Sequence, residues 1–162
     1  KMSEENKKFW NFERKEKAKQ AGFTESEIVT LASIVDEETD NEAEMPKIAG
    51  MYINRLHMNM PLQADPTIKF ATKNFTAHRI YQKWLTIDNP YNTYKYRGLP
   101  PGPIRIPSVA AIDAVLNYVH HDYIYMCAKE DFSGTHNFAK TYEEHQVNAA
   151  KYAKALNERG IN

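Results

Sequence analysis

One amphipathic helix constrains the fold of this chain more than any other feature, and the sequence predicts it in residues 24–38, TESEIVTLASIVDEE. Thr24 and Glu27 have the spacing of a capping box, so we expect the helix to begin there, after a break at Gly22. At 100° per residue, one face of this helix carries four apolar side chains: Ile28, Leu31, Ile34 and Val35. This face predicts a helix packed against a hydrophobic core.

The same helix ends in carboxylates, and Glu38 falls within about 20° of Leu31 on the helical wheel. Asp36 and Glu37 point to either side of the apolar face. An anion on a buried face at the C-terminal end of a helix is disfavoured by both desolvation and the helix dipole. Its pKa should therefore rise, as a general acid requires. The alternative is a frayed helix end that leaves Glu38 in water, and the wheel does not decide between the two.

The other periodic segments predict an α+β fold that is mainly helical with a small sheet. The length of 162 residues favours a single domain. Residues 1–23 are expected to form a charged helix and a linker, and the helix is expected to be peripheral and packed by its three aromatics, Phe9, Trp10 and Phe12. Further helices are expected at Pro46 to His57, after Ser108 as N-cap, and from 141 to Gly160, and a hairpin is expected from DYIYMCAK (122–129) and SGTHNFAKT (133–141).

Composition and motifs exclude several classes of function. Lys plus Arg and Asp plus Glu both total 21, so nothing in the charge favours nucleic acid or an anionic membrane. The single cysteine cannot form an internal disulfide, and the six histidines lack metal-ligand spacing, so neither a metal nor a cofactor is expected. No apolar run approaches the ~20 residues of a transmembrane helix. Because the chain begins at Lys1 without an initiator methionine, we expect it to be part of a longer protein.

Two irregular segments carry groups suited to sugar binding. Residues 53–67, INRLHMNMPLQADPT, combine amides, a carboxylate and apolar surface, although any loop after a helix can have this composition. Residues 89–104, NPYNTYKYRGLPPGPI, hold tyrosines, two glycines and four prolines in a stiff stretch. This second segment is either the lining of a ligand groove or a proline-rich structural crossover.

Four blocks of sequence, which cover most of residues 28–152, resemble the YceG-like (MltG) endolytic murein transglycosylases. They are LASIVDEETDNEAEMPKIAGMYINRLHMNMPLQADPT, YNTYKYRGLPPGPI, DYIYMCA and GTHNFAKTYEEH. The resemblance implies a lysozyme-like catalytic domain in residues 24–162. The family motif S-I-V-E-K-E-T aligns with SIVDEET, so the catalytic acid falls on Glu38, while Asp36 stands where the family has a glutamate. The resemblance further implies a glycan groove lined by Asn54, Gln63, Asp65, Thr67, Tyr91, Asn92, Thr93, Tyr94, His136 and Phe138.

The resemblance also implies a reaction. A lytic transglycosylase cleaves the β-1,4 bond between N-acetylmuramic acid and N-acetylglucosamine in nascent glycan strands without water, leaving a 1,6-anhydro end. Two alternatives stay open: a muramidase-type hydrolase that uses Glu38 with Asp65, and a peptidoglycan-binding module without activity. Some relatives have carried the label aminodeoxychorismate lyase, but no sequence feature supports a pyridoxal-phosphate pocket.

Members of this family are typically anchored in the inner membrane, with a LysM-like subdomain and the catalytic part in the periplasm. The resemblance implies that this chain is the catalytic part of such a protein, without its membrane anchor. Its implied partners are peptidoglycan glycan strands, the penicillin-binding proteins and the cell-wall synthesis machinery.

Overall fold

The computed structural model describes residues 8–75 and 80–160, which form helices around one core and a two-stranded sheet beside it. The helices are α1 (Phe12–Ala21), α2 (Glu25–Glu38), α3 (Met45–His57), α4 (Asp65–Thr72), α5 (Val109–Leu116) and α6 (Tyr142–Glu158), with a short 3₁₀ turn at Gln82–Trp84. The strands are β1 (Tyr125–Ala128) and β2 (His136–Ala139). The predicted α+β class is therefore confirmed. Among the described helices, none is both long enough and apolar enough to cross a bilayer.

Helix α2 begins as predicted. The side chain of Thr24 accepts a hydrogen bond from the Glu27 amide at 3.1 Å, and the Thr24 amide donates to the Glu27 carboxylate at 2.9 Å. These reciprocal bonds satisfy two amides that have no partner inside the helix. The apolar face is fully enclosed, because Ile28, Leu31, Ile34 and Val35 are all at most 1% exposed. This helix is the centre of the core and fixes the direction in which its last residue points.

The helix predicted near the N-terminus is interrupted, because Lys8 and Phe9 are helical, the chain bends at Trp10, and α1 begins only at Phe12. Asn11 caps α1 by accepting a hydrogen bond from the Arg14 amide, so the helix begins at Phe12, and residues 3–7 of the predicted helix lie outside the described residues. Of the three aromatics, Trp10 is buried before the helix, whereas Phe12 is 78% exposed and does not pack as expected. The Arg14 guanidinium donates to Asp113 of α5 at 2.9 and 3.0 Å, which attaches α1 to the core.

Helix α3 covers the residues predicted for it. It crosses the segment that follows α5, at Val119, at very short distance. Gly50 lies at the crossing, where an added Cβ would be 2.2 Å from the carbonyl oxygen of Val119. The Val119 amide also donates to the carbonyl of Pro46, in the first turn of α3, at 3.0 Å. The absence of a side chain at Gly50 therefore allows this approach.

The predicted hairpin is confirmed. Strands β1 and β2 are antiparallel, with Tyr125 opposite Ala139 and Ala128 opposite His136. Helix α6 follows directly, starts with a capping box at Thr141 and packs against both strands. It ends at Glu158, two residues before the predicted end. The hairpin and α6 together stand opposite the C-terminal end of α2.

Candidate active site

A cleft of about 420 Å³ separates α2, α3 and α4 from the wall formed by β1 and α6. Glu37 and Glu38 line this cleft, and they also line an adjoining cavity of about 540 Å³. Thr39, Asp40, Asn41, Ser133 and Gly134 form the rest of the second cavity. Glu38 thus stands where two open spaces meet.

Glu38 is the last residue of α2, and its partly buried side chain receives a hydrogen bond from the hydroxyl of Tyr52 on α3. Desolvation raises the pKa of Glu38 to about 7, and the negative charge of Asp65 adds to this shift. The hydrogen bond from Tyr52 and the charge of Lys69 act in the opposite direction. Desolvation also keeps the pKa of Tyr52 well above its ordinary value, so this hydroxyl stays protonated and can donate. Near neutral pH, Glu38 is therefore present in both protonation states.

We expect Tyr52→Phe to raise the pKa of Glu38 further, because the lost hydrogen bond stabilised the carboxylate. If protonated Glu38 is the active form, activity falls as the pH rises through this pKa. The alkaline limb of the kcat/KM profile should then move to higher pH in the variant. Tyr94→Phe is the matched control, since that hydroxyl bonds Asp65 instead. An unchanged alkaline limb in a folded Tyr52→Phe protein would contradict this role.

Asp65 is the second carboxyl of the cleft and the first residue of α4. Although the residue is exposed, the cleft walls desolvate its carboxyl group and raise its pKa, while a hydrogen bond from Tyr94 at 2.6 Å and the charge of Lys69 lower it. Gln63 precedes it in the left-handed region, with φ at +49°, and its amide donates to the carbonyl of Thr93 at 3.1 Å. Each carboxyl group thus has its own tyrosine partner.

Three of the residues predicted to bind glycan are buried, and they hold the loops that carry Asp65 and Tyr94. The hydroxyl of Thr93 accepts from the Ala64 amide at 2.9 Å and is hydrogen-bonded to Thr67 at 2.8 Å. The fully buried Asn92 side chain donates to two backbone carbonyls and accepts from the Tyr94 amide at 2.9 Å. These contacts attach the start of the segment of residues 89–104 to Ala64, Thr67 and the backbone at residues 85 and 87.

Three further candidates lie away from the cleft lining. The Asn54 amide donates to the carbonyls of His121 and Tyr123 at 2.7 and 2.9 Å, which joins α3 to the segment before β1. Tyr91 packs against Phe70, with ring centroids 4.9 Å apart. Phe138 lies beneath the ammonium group of Lys47, 4.4 Å from the ring centre.

His136 does line the cleft, at the start of β2. Its amide donates to Glu44 at 2.8 Å, and its Nδ1 lies 3.5 Å from the other oxygen of that carboxylate. Desolvation lowers the pKa of His136 despite the opposing effect of Glu44. The structure therefore brings Gln63, Asp65, Tyr94 and His136 together with Glu38. Among residues 8–75 and 80–160, no three His, Cys, Asp or Glu side chains are placed to hold a metal ion.

Several cleft residues were not among the predicted site residues. Tyr52 lies in the helix predicted from Pro46 to His57, and Arg55 lies in the polar segment of residues 53–67, but neither was predicted to line a site. Both lie on α3, three residues apart and hence on one helix face. A tyrosine and an arginine at this spacing on an apolar face were the available signal. Lys69, Tyr125 and His145 come from three other elements, and no local pattern connects them.

Residues 1–151 match the profile of the YceG-like family. The endolytic murein transglycosylase of Bacillus subtilis is 41% identical over 132 residues, which are 82% of this chain and 36% of that protein. The enzyme of the same name from Streptococcus pneumoniae is 33% identical over 141 residues, 85% of this chain and 25% of its own length. This chain therefore spans about a quarter to a third of the length of these two relatives.

A crystal structure of a YceG-like protein from Listeria monocytogenes superposes with a TM-score of 0.74 at 34% identity. The match covers 82% of this chain and 43% of that one. The profile covers almost the whole chain, and the fold is shared at substantial sequence identity. The chain therefore belongs to the YceG-like family.

Proposed function

We propose that this chain is the catalytic part of an endolytic murein transglycosylase, which cuts the β-1,4 bond between N-acetylmuramic acid and N-acetylglucosamine. The main observation in support is the Glu38 carboxyl, which has a pKa of about 7 and stands where two open cavities meet. The names of the relatives from Bacillus subtilis and Streptococcus pneumoniae support the class of reaction and murein as the substrate.

In this proposal, Glu38 acts twice. Protonated Glu38 gives its proton to the glycosidic oxygen, the bond from that oxygen to C1 breaks, and positive charge develops at C1. The Glu38 carboxylate then takes the proton of the C6 hydroxyl of the same muramic acid as its oxygen bonds to C1. The proton is thus returned, and a 1,6-anhydro ring forms. A pKa near the working pH suits both halves of this cycle, and the hydroxyl of Tyr52 stabilises the intermediate carboxylate.

Hydrolysis is the second candidate, because Asp65 provides another carboxyl group in the same cleft. Glycosidases that use water hold two carboxyl groups about 5 to 9.5 Å apart, with the second acting as nucleophile or base. The cycle described above needs no second carboxyl group, because the C6 hydroxyl is the nucleophile and Glu38 is the base, and one oxygen of Asp65 is already occupied by the hydrogen bond from Tyr94. We therefore assign Asp65 to sugar binding.

The Asp65→Asn variant tests this assignment. We expect a loss of about 5- to 150-fold in kcat/KM, which corresponds to the ~1 to 3 kcal/mol of one lost hydrogen-bonding partner. A nucleophile or general base would cost several powers of ten. Mass analysis should find anhydromuramyl ends with both wild type and variant. Free reducing ends from the wild-type protein would refute the transglycosylase reaction.

The function as a whole is tested by digesting purified sacculi with the protein and determining the masses of the released muropeptides. Anhydro products that depend on Glu38 are the expected result. A protein that binds sacculi but releases no new ends, with or without Glu38, would be a binding module instead.

We also propose, from the family resemblance, that the full protein works on nascent strands at the periplasmic face of the inner membrane. There it would act near the penicillin-binding proteins and the cell-wall synthesis machinery. Fractionation of cells that produce the full-length protein tests the location, and co-purification with penicillin-binding proteins tests the association.

A further inference from the structure

Arg55 carries a buried positive charge that has no acidic partner among the described residues. It is 5% exposed, and no carboxylate of residues 8–75 and 80–160 forms an ion pair with it. Its Nε donates to the carbonyl of Ile124 and its Nη1 to that of Pro61, both at 2.6 Å. Its Nη2 donates to none of the described residues. Buried charges in proteins are usually paired, so an unpaired guanidinium that lines a cleft is a candidate for binding an anionic ligand.

Two aromatic side chains extend this site across the cleft wall. The guanidinium carbon of Arg55 lies 5.1 Å from the centre of the Tyr125 ring, and His145 stacks on Tyr125 with centroids 5.1 Å apart and planes 18° apart. The Nδ1 atom of His145 is buried and makes no hydrogen bond within the described part of the chain. All three side chains line the cleft. We call Arg55, Tyr125 and His145 the Arg55 site.

The other cation of the cleft differs from Arg55 in its surroundings. Lys69 lies near both acids of the cleft, and its charge lowers the pKa of Glu38 and of Asp65. Its charge is therefore partly balanced by the protein itself. The charge of Arg55 is not balanced in this way, which leaves it available for an anion from the ligand.

We propose that the Arg55 site binds a carboxylate carried by the ligand in the cleft. This inference rests on the proposed function, under which the ligand is a glycan strand. The sugar hydroxyls and acetamido groups of such a strand are neutral. Its acidic groups lie on the lactyl arm of muramic acid, either directly or at the end of an attached peptide. A guanidinium edge and an imidazole N–H are suited to charge-assisted hydrogen bonds with such a group.

The position of the Arg55 site also places the acidic sugar relative to Glu38. Arg55 lines the cleft but not the adjoining cavity, whereas Glu38 lines both. A strand held at the Arg55 site therefore places a lactyl-bearing sugar on the β1 and α6 side of Glu38. The rest of the strand then continues into the second cavity. The second cavity is lined by Glu37, Glu38 and Asp40 and, within the described part of the chain, by no cationic side chain, so it is less suited to a carboxylate than the Arg55 site is.

The test measures binding to Glu38→Gln protein, which keeps the cleft but cannot donate a proton. The probes are a muramyl peptide that ends in a carboxylate, its carboxamide analogue, and N-acetylmuramic acid with a free lactyl acid. We expect the acid peptide to bind about tenfold more tightly than its amide. If N-acetylmuramic acid also binds more tightly than the carboxamide peptide, the site is assigned to the carboxylate of the lactyl arm itself. If only the acid peptide does so, the site is assigned to the carboxylate at the peptide end.

Variants identify the residues responsible. His145→Ala should reduce the preference for acid over amide several-fold, and Arg55→Met should remove it, while His57→Ala, an exposed histidine outside the cleft, should leave it unchanged. If Arg55→Met does not fold, the acid-to-amide ratio of the parent protein and of His145→Ala decides. Equal affinity for acid and amide in the parent, or an undiminished preference in His145→Ala and Arg55→Met, would overturn the proposal. Formation of anhydro ends by wild type is scored separately, so failure of the proposed function is distinguished from failure of this site.

Discussion

Glu38→Gln should abolish cleavage of glycan strands without disturbing the fold. The amide keeps the shape of the carboxyl group and can still accept a hydrogen bond from Tyr52, but it cannot donate a proton to the glycosidic oxygen. General acid catalysis contributes ~10² to 10⁴-fold, and the same group also acts as the base in our proposal. We therefore expect the loss to lie at or beyond the upper end of that range. The measurement is release of anhydromuropeptides from sacculi, quantified by mass spectrometry.

The folding stability of Glu38→Gln should show whether the variant loses activity through its chemistry or through its structure. The pKa of Glu38 is about 7 in the folded protein, above its ordinary value of 4.5, so the folded state holds this proton more tightly than the unfolded chain does. Ionisation of Glu38 therefore costs folding stability as the pH rises above the ordinary value. Glutamine has no such cost, and Glu38→Gln should be at least as stable as wild type at neutral pH. A variant that is inactive but markedly less stable would weaken the catalytic assignment.

Glu37→Gln is the matched control on the same helix. Glu37 is exposed and forms an ion pair with Arg105 at 3.5 Å, so its loss should cost little activity. Asp36 differs from both, because its carboxylate accepts from the Ser108 amide at 2.7 Å and joins the start of α5 to α2. Asp36→Asn should act mainly through stability. Retained activity in Glu38→Gln, or its loss in Glu37→Gln alone, would contradict the assignment.

Gly50→Ala should destabilise the protein by about 3 kcal/mol, at the upper end of what overpacking usually costs. The new methyl group would lie 2.2 Å from the backbone oxygen of Val119 and 3.0 Å from the ring of His121, so α3 or the chain after α5 must move. Alanine gains about 1 kcal/mol in helix propensity, which offsets only part of this cost. The expected fall in Tm is roughly 6 to 12 °C, measured by calorimetry.

Gly102→Ala is the control for Gly50→Ala. A methyl group there would meet only the hydroxyl of Tyr91, at 3.4 Å, which is close to ordinary contact. Its Tm should change little. A Gly50→Ala protein as stable as wild type would mean that α3 does not cross the chain as closely as described.

The parts of the fold that could be predicted are those determined by local chemistry. The Thr24 capping box and the apolar face of α2 both follow from residues within one helix, and so does the direction in which Glu38 points. The hairpin was predictable because its two strands are near in sequence. The break at residues 10 and 11 was missed, although Asn11, which caps α1 at that point, was the local signal for it.

The remaining features of the site depend on distant contacts. Tyr52 meets Glu38 only because α3 packs beside α2, and Asp65 meets Tyr94 across 29 positions of sequence. Asn92 and Thr93 look like ligand-binding residues in a polar loop, yet their side chains satisfy backbone groups that folding would otherwise leave without partners. Sequence shows that such groups are polar, but only the packing shows what they face.

The hairpin that forms one wall of the cleft has a consequence for motion. Two strands alone are marginally stable in water, and most residues of β1 and β2 are only half-buried, so this wall depends on its contact with α6. Its amides should therefore exchange with solvent deuterium sooner than those of α2 and α3. A glycan strand that contacts Glu38 on one side of the cleft and Tyr125 and His145 on the other would bridge the two walls of the cleft. Binding should then slow exchange in β1 and α6 most, and the difference would map the ligand on the protein residue by residue.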